Sequence, residues 1–200
     1  VSAKRLFPNF SFLDAPFNAS FYKEGHPETE VAYMGCRTRV MSNIHDPDQA
    51  ITNGRGNLSF TSVNLPRLAI KANGHVDLFF EDLDRKMDLV FDQLLARFRI
   101  QSQKKVRNYP FLMGQGVWLD SDKLGIDDEV GEVLKHGTLT VGFIGLAECL
   151  KALIGKHHGE SKEAQNLGME IIGYMRRRCD EQSAKTKLNF SLIATPEIGR

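Results

Sequence analysis

Cys36 sits in the run Gly35-Cys36-Arg37-Thr38-Arg39. Two guanidinium groups beside a thiol create positive potential, which favours the thiolate and reactivity. The same residues also fit a small buried side chain at a strand end, because free cysteines are commonly inert core residues. Arg55-Gly56-Asn57 places an amide just ahead of a β-rich run. Asn57 is suited either to a substrate hydroxyl or to closing a turn. Thr140–Glu148 reads as a strand, a glycine turn at Gly142 and Gly145, and a helix start. Backbone N–H groups at such a start suit a phosphate, although the run is neither a P-loop nor a GxGxxG fingerprint. Ala194-Thr195-Pro196 has the same character, with Pro196 fit for a first helical position and Thr195 for a cap or a phosphate donor.

The remaining reactive residue types read as structure. His157 and His158 are adjacent, so their side chains diverge at a helix end, and no HExxH spacing accompanies them. Cys149 and Cys179 fall within apolar helical stripes and read as core. The three cysteines contain no CxxC pair, so no metal site is expected from this stretch alone. Their usage suits a reducing compartment, and a cytoplasmic location is expected. The chain has 200 residues, 42% hydrophobic and 26% charged, with a net charge of +1. That balance fits an ordinary globular core and offers no electrostatic case for nucleic acid or a membrane surface. No apolar run approaches spanning length. The opening VSAKRLFPNF has neither an initiator Met nor a signal segment, so a fragment of a longer chain is expected.

The elements that must position these residues follow from periodicity. Residues 1–30 read as loops and short strands, and 31–34 as a strand end. Residues 58–65 alternate as a strand, with Pro66 an interruption and 67–72 a possible continuation. From Asp77 to 104 a helix is expected, with Phe80, Leu83, Met87, Val90, Phe91, Leu94 and Phe98 on one face. Residues 109–119 read as strand and loop, and Asp127 or Asp128 as the cap of a short helix ending near Gly137. Then come a strand at 138–143, a helix at 145–153, a helix from the Ser161 cap to 186 with Leu167, Ile171, Ile172, Met175 and Cys179 inward, and a strand at 188–194. Strands alternating with helices predict an α/β fold with a mainly parallel sheet, which places ligands at the carboxyl ends of its strands.

Five blocks occur in a characteristic order: YMGCRTRV, GRGNLSFTSVNLPRLAI, FLMGQGVWLDSDKLG, KHGTLTVGFIGLAE and KLNFSLIATP. Together with the opening SAKRLFPNFSFLDAPFN, they resemble the C-terminal half of the catalytic core of anaerobic (class III, glycyl-radical) ribonucleoside-triphosphate reductases. The resemblance covers essentially the whole chain. It implies part of a ten-stranded α/β barrel with a central finger loop, at about residues 31–57, in a single piece spanning 1–200. It makes Cys36 the finger-tip thiyl that takes the ribose 3′-hydrogen, after which the 2′-hydroxyl leaves as water. Thr38 stands where aerobic relatives carry a catalytic Glu, and Asn57 is placed near the ribose hydroxyls. Ala194, Thr195 and Pro196 become the phosphate turn, with Gly142 and Gly145 lining the site.

Other family parts are expected outside this chain: the upstream half-barrel, the ATP-cone with its allosteric ATP or dNTP, the glycyl radical and the C-terminal zinc. No cofactor is expected within these residues. The implied partners are a ribonucleoside triphosphate, a radical-SAM activating enzyme and a second copy in a homodimer. The piece alone is expected to be inactive. Two other readings stand beside this one: a non-catalytic nucleotide-binding or interaction module of the same descent, and another glycyl-radical enzyme. Formate-lyase relatives commonly carry adjacent finger-tip cysteines, whereas Cys36 stands alone.

Overall fold

The computed structural model describes residues 10–20, 22–31, 33–34, 38–39, 42–47 and 53–195; the side chains of Glu28, Met34, Thr38 and Arg39 lie outside that description. In chain order the described elements are α1 (Pro16–Ala19), β1 (Tyr33–Met34), β2 (Thr38–Arg39), β3 (Asn57–Asn64), α2 (Leu65–Ala72), α3 (Val76–Ser102), α4 (Gly131–Leu134), β4 (Thr138–Ile144), α5 (Leu146–Ile154), α6 (Lys162–Thr186) and β5 (Asn189–Ala194). They form two compact units, Val1–Asn57 with Gln103–Gly137, and Leu58–Ser102 with Thr138–Arg200.

The second unit is the mixed α/β layer that the alternation of strands and helices predicts. Its sheet runs in the order β3-β4-β5. β4 and β5 are parallel, in register from Thr138 opposite Asn189 to Phe143 opposite Ala194. Parallel neighbours need a crossover, supplied here by α5 and α6. Ser161 caps α6, its Oγ accepting from the Ala164 N–H at 3.2 Å; of the expected inward stripe, Ile171, Met175 and Cys179 are buried, while Leu167 and Ile172 are half-buried.

Two expectations are corrected here. Residues 67–72 do not extend β3. The Asn64 side chain accepts from the Arg67 N–H at 2.9 Å, and Pro66 occupies the first turn. Both features start a helix, so Pro66 opens α2 instead of interrupting a strand. On α3, Phe79 is fully buried while Phe80 is only partly covered. Phe80 instead meets the Tyr174 ring edge-on at 5.5 Å, on the rim between α3 and α6. Leu83, Met87, Val90, Phe91 and Leu94 are buried, each worth about 1.5–3 kcal/mol of transfer free energy, while Phe98, like Phe80, is only partly covered.

The first unit is built from short pieces. β1 and β2 pair antiparallel, Tyr33 with Arg39 and Met34 with Thr38. Met113, Trp118, Val130, Val133 and Leu134 are buried within it, and the Trp118 indole N–H donates to the Val133 carbonyl at 2.8 Å. Two further expectations fail locally. Residues 109–119 form turns and no strand. Asp128 caps no helix, because its carboxylate accepts from the Gly125 N–H at 2.7 Å, and α4 begins three residues later at Gly131.

Candidate functional site

Successive side chains of a strand point to opposite faces, and the sheet of the second unit uses this to separate two chemistries. Leu139, Val141 and Phe190 enter the hydrophobic core. Thr138, Thr140 and Gly142 of β4 alternate with them on the other face, which is rich in hydroxyls. There the Thr140 and Ser191 hydroxyls meet at 3.0 Å. The Ser62 and Thr195 hydroxyls meet at 2.7 Å. Thr138 is 4% exposed, and its hydroxyl has no hydrogen-bond partner among the described residues.

Gly142 explains how Ser62, on one outer strand, reaches Thr195, just past the other. A Cβ at Gly142 would lie 2.3 Å from Thr195 Oγ1 and 2.4 Å from Ser62 Oγ. Only a glycine leaves room for the two hydroxyls to meet across β4. Thr195 is held a second time, its backbone N–H donating to the Phe143 carbonyl at 2.9 Å. That N–H is therefore engaged within the sheet, and a ligand contact falls to the hydroxyl pair. Gly145 precedes α5 with φ +70°, and a Cβ there would lie 2.3 Å from Pro66 Cγ. Both the left-handed angle and the proline ring demand glycine.

Gly142, Gly145, Ala194 and Thr195 thus gather at one end of the sheet. Asn57 lies exposed at the first position of β3. Cys36 and Pro196 lie outside the described residues, as does the side chain of Thr38. Cys149 and Cys179 are buried. Burial pushes both thiols up to about 12, which suppresses the thiolate and leaves them inert. His157 makes local contacts only: Nδ1 accepts from the Gly159 N–H at 3.0 Å, and Nε2 lies 3.3 Å from Glu160 Oε1. No group of three or more His, Cys, Asp or Glu able to hold a metal occurs among the described residues.

One cluster escaped the sequence reading. Arg55, 8% exposed, donates from Nε to the His136 carbonyl at 2.8 Å and from Nη2 to the Ser42 carbonyl at 2.8 Å. Asn43 Nδ2 meets His136 Nδ1 at 3.0 Å, and His136 Nε2 lies 3.4 Å from Asp120 Oδ2. The amide of Asn43 donates to Nδ1, so the imidazole proton sits on Nε2, towards Asp120. Burial lowers the Arg55 and His136 pKa values. The Lys123 ammonium, ahead of other causes, lowers that of Asp120. Two residues before Asn57, Arg55 ties down the chain that leads into β3. Its partners lie 13 and 81 positions away, so no local pattern marks it.

A family model described as anaerobic ribonucleoside-triphosphate reductase matches residues 1–197. The chain belongs to this family. The anaerobic ribonucleoside-triphosphate reductases of Salmonella typhimurium and Escherichia coli are each 32% identical to it over 166 residues, 82% of this chain. That of Enterobacteria phage T4 is 28% identical over 98% of the chain. The chain spans 23% of the length of the two bacterial reductases and 30% of the phage one. Among solved structures, the anaerobic ribonucleotide reductase from Thermotoga maritima with citrate in the active site superposes with a TM-score of 0.59 at 16% identity. That superposition covers 72% of this chain and 25% of the other, and shows a shared fold. No described helix is long and apolar enough to cross a membrane.

Proposed function

We propose that these residues form part of the catalytic barrel of a reductase that converts ribonucleoside triphosphates to 2′-deoxyribonucleoside triphosphates. The observation that carries this reading is the family match across residues 1–197, which includes every candidate site residue. The ten-stranded barrel is built around the hydroxyl-rich face of β3-β4-β5, and the finger loop of about residues 31–57 enters it. A glycyl radical elsewhere in the longer protein, raised by a radical-SAM activating enzyme, supplies the oxidising equivalent. The allosteric ATP or dNTP site and the zinc site also belong to other parts of that protein, which acts in the cytoplasm as a homodimer.

Cys36 holds the sulfur radical next to the ribose. It takes the 3′-hydrogen atom, becoming a thiol and leaving the carbon as a radical. The 2′ C–O bond then breaks, and the hydroxyl leaves with a proton as water. Overall, two electrons and two protons from an external reductant replace the hydroxyl by hydrogen. Asn57 and Thr38 orient the ribose hydroxyls. Ala194, Thr195 and Pro196 carry the phosphates beside Gly142 and Gly145. A closed cavity is required because dioxygen adds to carbon radicals and the intermediate must be kept from side reactions.

The test replaces Cys36 by Ser in the full-length protein after anaerobic activation. Reduction is expected to vanish while the glycyl radical remains visible by electron paramagnetic resonance. Retained reduction would remove Cys36 from the mechanism.

A further inference from the structure

We infer that Ser62 is a positioning residue of the phosphate subsite, acting through the hydroxyl of Thr195; this rests on the nucleotide-reductase reading above.

The Ser62 and Thr195 hydroxyls, 2.7 Å apart, bring two O–H protons to one short contact. Their mutual hydrogen bond consumes one proton, and the other stays available as a donor. The couple therefore presents one O–H to a ligand oxygen and has lone pairs left over, a polarity that suits the oxygens of a phosphate. A lone threonine hydroxyl rotates freely and must be ordered when a ligand binds. Ser62 removes that freedom in advance, which is how pre-organisation raises affinity.

Three features show that the couple is built into the fold. Ser62 lies on β3, whose end at Asn64 is anchored by the cap of α2. Thr195 is fixed by its backbone hydrogen bond to Phe143. Gly142 leaves room for them to meet across β4, and a Cβ there would strike both oxygens. Ser62 belongs to the block GRGNLSFTSVNLPRLAI, yet within a strand it reads as an ordinary alternating polar residue. Only its neighbour from the far end of the chain gives it a role.

The test compares Ser62→Ala and Ser62→Thr in the full-length, anaerobically activated protein. For Ser62→Ala, KM for a ribonucleoside triphosphate is expected to rise roughly two- to ten-fold, the range of one modest hydrogen bond. kcat is expected to stay within about twofold, since uniform binding is what is lost. Competition by inorganic triphosphate should weaken in parallel, while competition by the uncharged ribonucleoside should not change. Ser62→Thr restores the hydroxyl and should restore KM. If the alanine protein fails to fold, Ser62→Cys fills a similar volume with a weak hydrogen bonder and should move KM the same way. An unchanged KM, or equal losses for nucleoside and triphosphate, would overturn the role. Wild-type turnover is the internal control, and its absence would instead strike the reductase reading.

Discussion

Replacing Arg55 by Met keeps most of the buried stem and removes the donors. The His136 and Ser42 carbonyls each lose a hydrogen bond from a charged group at 2.8 Å. The His136 carbonyl is buried, and orphaning it costs about 1–3 kcal/mol, whereas the partly exposed Ser42 carbonyl can turn to water. Part is returned, because burial disfavours the guanidinium charge, which leaves a net loss of about 1–2 kcal/mol. The loss belongs to the first unit. Hydrogen exchange of the Asp46 and Leu119 amides, which donate to Asn43 and Gly54, should report it. At about 1.4 kcal/mol per tenfold, those amides should exchange roughly five- to thirty-fold faster. Amides of β4 and β5 serve as the reference. If Asp46 and Leu119 exchange as slowly as in the wild type, Arg55 does not hold this unit together and the reasoning fails.

Two further outcomes follow from the same geometry. Gly145→Ala should lower stability by about 2–4 kcal/mol, from the left-handed angle and the Pro66 contact together; an urea midpoint equal to wild type would contradict both causes. His136 is held neutral mainly by burial, so its folded pKa lies below the unfolded value of 6.5. The unfolded chain then binds more protons as acid is added. Stability is complete above pH 6.5 and declines as pH falls from there through the lowered folded value. His136→Gln should flatten that part of the stability profile, and an unaltered slope would exclude His136 as its source.

Much of the second unit was legible because its signals are local. Twofold alternation marks β3, and threefold and fourfold spacing marks α3 and α6. Ser161 needs only the next turn to act as a cap. The failures came where a residue serves two geometries. Pro66 reads as a break until Asn64 is seen capping the helix it opens. Phe79 and Phe80 both fit the stripe, and the approach of Tyr174 decides between them. In residues 109–119 an apolar run without a partner strand settles into turns.

Sequence alone determined the family, through five ordered blocks, and the alternation of strands and helices, through periodicity that each segment carries by itself. Tertiary structure decided which polar residues act together. Ser62 and Thr195 are 133 positions apart, and Arg55 and His136 are 81 apart. The reason is physical. Secondary structure answers to neighbours within a turn or a strand, whereas a hydroxyl couple or a buried guanidinium exists only once chain closure has brought distant groups within 3 Å and excluded the water that would otherwise serve them.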